Sequence, residues 1–408
     1  MNCRHCNRPV ALQLVDLGTA PPSNAYLPPE RIRAPETWFP LKVLVCEGCW
    51  LAQTEDVADA ALYFDAGYAY FSGYSRTWLD HCRTSVEALA DRFGLTSSSH
   101  VVEVAANDGS LLQFVRDRGI PCLGVEPTAS TAAAARSKGL EIVAEFFGVA
   151  LARRLAAAGR RADLSVANNV LAHVPDINDF SAGFVALLTD DGVASFEFPH
   201  LLKLLEETQF DTIYHEHFSY LSLTAVTTIF AANGLTVFDV EELPTHGGSL
   251  RVFAQRSHTG RRPVAASVAG MLAREAEAGL QSRAAYDDFQ LRAERVKHEF
   301  LEFLLAARRA GQTVAAYGAA AKGNTLLNFA GVRPELIACV ADRNPAKQGK
   351  RLPGSRIPVV DEQALEALRP DYVVILPWNI RAEVMGQLAG LRAGGTRFVT
   401  AIPSLKVA

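Results

Sequence analysis

Val101-Val-Glu-Val-Ala-Ala-Asn-Asp-Gly-Ser-Leu-Leu112, followed by Cys122-Leu-Gly-Val-Glu-Pro127, is the stretch whose reading decides the fold. Val101 to Val104 suits a strand buried on both faces. Asn107-Asp-Gly109 is a tight-turn signal, and the leucines after it open a helix. The second strand ends on an acid, Glu126, about 20 residues past the turn, where doubly wound folds place a ribose-binding carboxylate. Strand, turn, helix, strand and acid in this register open a doubly wound α/β sheet, whose ligands sit at the carboxyl ends of the strands.

A nicotinamide site would need G-x-G-x-x-G, which this turn lacks. The pattern instead predicts a class I (Rossmann-like) methyltransferase domain holding S-adenosylmethionine. Glu103, Asn107, Asp108 and Gly109 would line the methionine end, and Glu126 would accept the ribose hydroxyls. Glu145-Phe146 would hold adenine, and Asn168 would face the cleft from the end of the strand Asp163-Leu-Ser-Val-Ala-Asn-Asn169. Ala105 stands where a donor loop usually has glycine, which makes a close approach there less free.

Further along, His173 follows a cleft-facing strand, and Val193 to Pro199 reads as another strand. Then Asp211-Thr-Ile-Tyr-His-Glu-His-Phe-Ser-Tyr220 puts a phenol, a carboxylate and two imidazoles between Tyr214 and His217. These are the groups that move protons near neutral pH. The competing reading is a pair of solvated histidines with Asp211 as a helix cap. Leu235 to Val240 and Leu250 to Ala254 form a closing antiparallel pair, joined by a turn that carries His246 in Thr245-His-Gly-Gly-Ser249.

Upstream, Cys3 with Cys6 and Cys46 with Cys49 form two Cys-x-x-Cys knuckles. Together they supply a tetrahedral thiolate shell for structural zinc, closed to catalysis. The remaining three of the seven cysteines lie alone and read as buried thiols. An aromatic-rich stretch, Tyr63 to Tyr74, favours packing between domains, with Tyr68 as a phenol that would face substrate. Downstream, residues from about 266 to 310 have helical spacing, and Thr313-Val-Ala-Ala-Tyr-Gly-Ala-Ala-Ala-Lys322-Gly-Asn324 opens a second strand–turn–helix unit. Lys322 and Asn324 at that turn, and Trp378 with Asn379 at the end of a later strand, suit a nucleotide's phosphate and base. The turn is not a nucleotide-hydrolysing loop. The boundaries read as 1–62 (zinc), 63–256 (methyltransferase) and 257–408 (an α/β unit).

At 408 residues, 49% hydrophobic and 21% charged, the chain is expected to fold into two or three packed domains. The net charge of −4 argues against nucleic acid or an anionic membrane as a partner. No apolar run reaches bilayer length and no secretory segment opens the chain, so a cytoplasmic location is expected.

The two knuckles, Val-Ala-Ala-Asn-Asp-Gly, Tyr-x-Glu-His, His-Gly-Gly and Tyr-Gly-Ala-x-Ala-Lys occur in that order. This succession resembles the sugar C-methyltransferases, which methylate a carbon of nucleotide-linked deoxy-keto sugars, and the resemblance spans essentially the whole chain. It implies an N-terminal zinc domain, a central S-adenosylmethionine domain and a C-terminal domain that helps bind the nucleotide sugar. It also implies His217 as base with Tyr214 and Glu216 beside it, and Tyr68 and His173 facing the sugar. His215 departs from an acid found in some relatives, a difference that would bear on sugar choice. Three rivals stay open: an O- or N-methyltransferase, a non-catalytic nucleotide-sugar binding protein and a zinc-knuckle RNA methyltransferase. The last would need a basic stripe. The sequence sets no oligomeric state, and a monomer is compatible with it.

Overall fold

The computed structural model describes residues 1–58 and 71–408. Tyr68 therefore lies outside the described residues. Along the chain the strands are β1 (Leu12–Ala20), β2 (Phe39–Val45), β3 (Ala52–Thr54), β4 (Val101–Val104), β5 (Cys122–Val125), β6 (Ile142–Val143), β7 (Ala162–Asn168), β8 (Leu188–Pro199), β9 (Ser219–Tyr220), β10 (Leu235–Leu243) and β11 (Ser249–Arg256). The C-terminal third adds β12 (Val314–Tyr317), β13 (Val340–Ala341), β14 (Val359–Val360), β15 (Tyr372–Ile375), β16 (Arg397–Thr400) and β17 (Lys406–Val407).

Among the described residues the strands make three sheets. The central one has the order β10-β11-β8-β7-β4-β5-β6. It is parallel except for β11, which runs against both neighbours. The closing antiparallel pair is therefore present. Every residue of β4 is buried, Glu103 among its three valines included, as befits a strand covered on both faces. Chain order reverses between β4 and β7, so the crevice at their carboxyl ends is the binding position of such a sheet.

The C-terminal sheet, β14-β13-β12-β15-β16-β17, repeats the scheme, with its reversal between β12 and β15. The turn after β12 leads into the helix Ala321–Phe329, and the chain after β15 forms the short helical turn Trp378–Ile380. The small sheet, β1-β2-β3-β9, borrows its last strand from the segment that follows His217. A single apolar core runs from Leu14 and Tyr26 through Leu201, Phe210 and Phe300 to Leu327 and Val374. The N-terminal sheet, the Tyr214–His217 block and the C-terminal sheet are thereby packed as one body. The helix Ala266–Glu277 packs Val268 and Met271 into the central core rather than the C-terminal one.

Candidate active site

The turn after β4 is left-handed at two residues with side chains, Ala105 (φ +59°) and Asn107 (φ +48°). The alanine at the usual glycine position is thus accommodated in the conformation that glycine takes freely. Gly109 touches the wall so closely that a Cβ would lie 2.2 Å from Leu140 Cδ1. Glu126 fixes the turn: one carboxylate oxygen accepts from the Asn107 amide and the other from the Thr128 amide, each at 2.9 Å. Each oxygen keeps a further lone pair for a ribose hydroxyl.

Other donor-site candidates are engaged differently from the expectation. Asn107 Oδ1 accepts from the Ser72 amide at 3.0 Å, and Asp108 Oδ2 from the Gly73 amide at 3.2 Å, so these side chains strap down the segment before the helix Arg76–Phe93. Glu103 is buried beneath the turn and hydrogen-bonded to the Leu112 main chain, and burial raises its pKa well above the carboxylate range. Glu145 is paired with Arg154 in solvent, while Phe146 stands 59% exposed. Phe147, not Phe146, enters the core against Phe180 and Phe184.

Asn168 Oδ1 and Asn169 Oδ1, at the end of β7, and Glu103 Oε2 are buried with no hydrogen-bond partner. Buried polar atoms of this kind need partners. With the Glu126 carboxylate and the left-handed turn, they fit a polar cofactor such as S-adenosylmethionine at these strand ends.

In the Tyr214–His217 block, His215, Glu216 and His217 are buried and Tyr214 is half-buried. His217 is 8% exposed, and its Nδ1 donates to the Thr212 carbonyl at 2.9 Å, which leaves Nε2 as the acceptor. Its ring centroid lies 4.5 Å from that of His173 and 4.0 Å from that of Tyr214. Burial, followed by the charges of His173, His246 and Lys322, lowers the His217 pKa well below the ordinary imidazole value. His173 is lowered to about 4 by burial and hydrogen-bonds the Glu216 main chain. This is a pair of neutral imidazoles, the form in which a histidine can take up a proton.

Glu216, 1% exposed, is raised to about 7 by burial and accepts from Asn24 Nδ2 at 3.2 Å. Its carboxyl therefore meets the loop of the small domain, and the Thr212 carbonyl, not Glu216, fixes the orientation of His217. His215 turns away, with Nε2 donating to the Pro40 carbonyl at 3.1 Å and its ring edge against Phe39. It joins the block to β2.

The C-terminal turn reaches the same place. Lys322 is half-buried, with Nζ donating to Asn379 Oδ1 at 2.8 Å and lying 4.9 Å from the centre of the Trp378 ring. Burial lowers its pKa, and the nearby Asp211 carboxylate opposes that shift. Trp378 Nε1 donates to Asp211 Oδ2 at 2.8 Å. His246 is left-handed (φ +54°), lowered to about 4 by burial, and packed 5.5 Å from the Trp78 ring centre. Asn324, by contrast, donates to the Ser23 carbonyl at 2.6 Å and ties the small domain to the C-terminal helix.

The four knuckle sulfurs all lie within 4.8 Å of one another, with Cys3–Cys49 and Cys6–Cys46 at 3.5 Å. Zinc–sulfur bonds of about 2.3 Å need sulfurs about 3.8 Å apart, so the cluster fits the ion.

Several residues of the site carried no signal in sequence. Asn24 sits in a turn-rich loop, Asp211 looked like a cap, and Thr212 contributes only its carbonyl. Glu197, fully buried on β8, binds His81 (2.8 Å), Arg251 (3.1 Å) and Thr245 (2.8 Å), and so anchors the His246 turn. An acid inside an apolar strand was the one visible clue to it.

Family comparisons match these three regions. A C-methyltransferase C-terminal domain matches residues 244–403, a zinc binding domain residues 3–64, and a methyltransferase domain residues 77–240. C-methyltransferase NovU of Streptomyces niveus is 36% identical over 405 residues, covering 99% of this chain and 96% of NovU. The chain belongs to the S-adenosylmethionine-dependent C-methyltransferases. Its cofactors are S-adenosylmethionine and a structural zinc.

Among solved structures, magnesium protoporphyrin IX methyltransferase of Synechocystis PCC 6803 shares 16% identity with this C-methyltransferase at a TM-score of 0.34, over 44% of this chain and 82% of that one. The PH0226 protein of Pyrococcus horikoshii OT3 gives 15% and 0.39, over 46% and 95%. No described helix of the C-methyltransferase is long and apolar enough to cross a membrane.

Proposed function

We propose that this C-methyltransferase acts on a nucleotide-linked deoxy-keto sugar, methylating the carbon beside the ketone. One observation carries the reading: the segment 211–217 seats the buried His217 imidazole against the Thr212 carbonyl and, through Asp211, holds the Trp378 ring over which Lys322 Nζ lies at 4.9 Å. An aromatic face, a cation and the Asn379 amide suit a base and its phosphates.

A carbon becomes a nucleophile once its proton is removed, and an adjacent ketone makes that proton acidic enough for an imidazole. His217 Nε2 takes the proton, and the Thr212 carbonyl keeps that nitrogen unprotonated beforehand. Tyr214 or His173 hydrogen-bonds the enolate oxygen as charge develops there. Bound S-adenosylmethionine supplies the electrophilic methyl carbon. Glu126, the left-handed turn and Asn168 would hold that donor, and burial of the block keeps water from the enolate.

Membership in a C-methyltransferase family favours carbon over oxygen or nitrogen as acceptor. We assign the zinc unit, the methyltransferase unit and the C-terminal unit the boundaries 1–62, 63–256 and 257–408, with the helix Ala266–Glu277 packed on the central unit. The test is incubation of the purified protein with S-adenosylmethionine and a panel of nucleotide-linked 4-keto sugars, followed by mass spectrometry. A methylated product, with solvent deuterium entering beside the ketone, is expected. Methylation of oxygen or nitrogen, or of none of the sugars, would refute the assignment.

A further inference from the structure

Three consecutive residues of one short turn face three different elements. The helical turn Phe210–Thr212 is buried throughout. Asp211, 1% exposed, holds the Trp378 indole through Oδ2, while its Oδ1 is buried without a hydrogen-bond partner. Thr212 presents its carbonyl to His217 Nδ1. The next carbonyl, that of Ile213, accepts from Thr325 Oγ1 at 2.7 Å, from the helix that carries Lys322. The element that sets the tautomer and aim of the imidazole is thus gripped on both sides by the C-terminal unit. Trp378 is itself confined on its far edge by Gly247.

We infer that Asp211 is a positioning residue that makes the seating of His217 depend on the docking of the Trp378 loop. The inference rests on His217 being the base. Asp211 touches neither donor nor acceptor in this scheme. Its carboxylate fixes the indole and balances Lys322, and its main chain continues directly into the carbonyl that orients the imidazole. Loss of the indole contact frees the turn to rotate, and a rotation of the Thr212 carbonyl points Nε2 away from the acceptor carbon. A displaced catalytic group of this kind costs on the order of a hundredfold in rate with little change in affinity. Binding of the nucleotide end at Trp378 and Lys322 would then be used in proton abstraction at the sugar, and a truncated acceptor would lose kcat as well as affinity.

The test compares Asp211→Ala, Trp378→Phe and the double variant with His217→Ala in the full-length protein, using a nucleotide-linked 4-keto sugar that the panel shows to be methylated. Asp211→Asn keeps the shape and an acceptor oxygen for the indole, so it is expected to retain most of the activity, and Asp211→Leu serves where Asp211→Ala fails to fold. The readouts are kcat, KM and the rate at which deuterium enters beside the ketone with S-adenosylhomocysteine bound. Asp211→Ala is expected to lose about ten- to a hundredfold in kcat and in exchange rate with KM within about threefold, Trp378→Phe to lose as much in both with KM raised as well because the ring meets the nucleotide, and the double variant to be no worse in kcat than the weaker single. Losses in KM alone, or losses that multiply in the double variant, would overturn the coupling. Full activity in His217→Ala would instead remove the base assignment on which it stands.

Discussion

Gly247→Ala is the sharpest probe of how the C-terminal unit is fitted to the site. At φ +92° the backbone there is one that L-residues seldom adopt, and a Cβ would lie 2.4 Å from Trp378 Cη2. Ordinary contact begins near 3.4 Å, so the indole has to retreat by about 1 Å. That retreat breaks its 2.8 Å bond to Asp211 and shifts the ring from under Lys322. A misplacement of about 1 Å at a positioning contact costs on the order of a hundredfold in kcat/KM. Backbone strain adds about 1–2 kcal/mol, enough to lower the thermal midpoint by a few degrees. Gly248→Ala separates the two effects, since at φ +112° it carries similar strain but meets only the aliphatic stem of Lys203, which can move aside. Steady-state methyl transfer and thermal melts of both variants decide the matter. Equal kcat/KM losses in the two, or full activity in Gly247→Ala, would refute the reasoning.

The other predictions concern protons and the metal. Glu216 is raised to about 7 by burial, so its contribution to stability is present below its unfolded value near 4.5 and is lost as pH rises through 7, on the order of 3 kcal/mol in all. Glu216→Gln should flatten that part of the stability–pH curve, and urea midpoints between pH 4.5 and 8 check it. Glu275 behaves in the opposite sense. It accepts from His200 (2.7 Å), from the Leu223 and Thr224 amides (2.6 and 2.8 Å) and from the Thr224 hydroxyl (2.6 Å), and its pKa is lowered. Its contribution is present at neutral pH and lost in acid, so Glu275→Gln should lower the melting midpoint at pH 7 and weaken the acid dependence. Because the His217 pKa lies well below 6.5, the acid limb of kcat should fall well below that of an ordinary histidine, and a limb centred near 6.5 would contradict it. Chelation of zinc, or Cys46→Ser, should release the small sheet and with it the bonds that Thr54 donates to the His217 and Phe218 carbonyls; loss of zinc by mass spectrometry should accompany loss of methyl transfer.

Signals confined to a short window were readable from the chain alone. The buried run of β4, the tight turn and the acid at Glu126 lie within about 25 residues, and periodicity and turn chemistry encode them locally. Two Cys-x-x-Cys knuckles announce a metal because thiolates at that spacing have few other uses. The Tyr214–His217 block was visible from its density of titratable groups. What sequence could not assign was the partner of each group. Glu145 was expected at adenine but pairs with Arg154, nine residues along the chain, because the local helix offers a cation. Asn324 was expected at substrate but bonds Ser23, and Glu216 meets Asn24 rather than His217.

The chain by itself therefore determined which chemistry is carried: four thiolates, a donor-binding sheet, and a cluster able to move protons. Only the tertiary structure decided who faces whom, bringing Asp211 to Trp378 across 167 residues and Thr212 to the imbalance of His217's two nitrogens. The physical reason is that a side chain's hydrogen-bond partner is selected by the packing of whole sheets against one another. That packing is set by a core shared between distant segments, Leu14 and Phe210 with Val374, which no local pattern records.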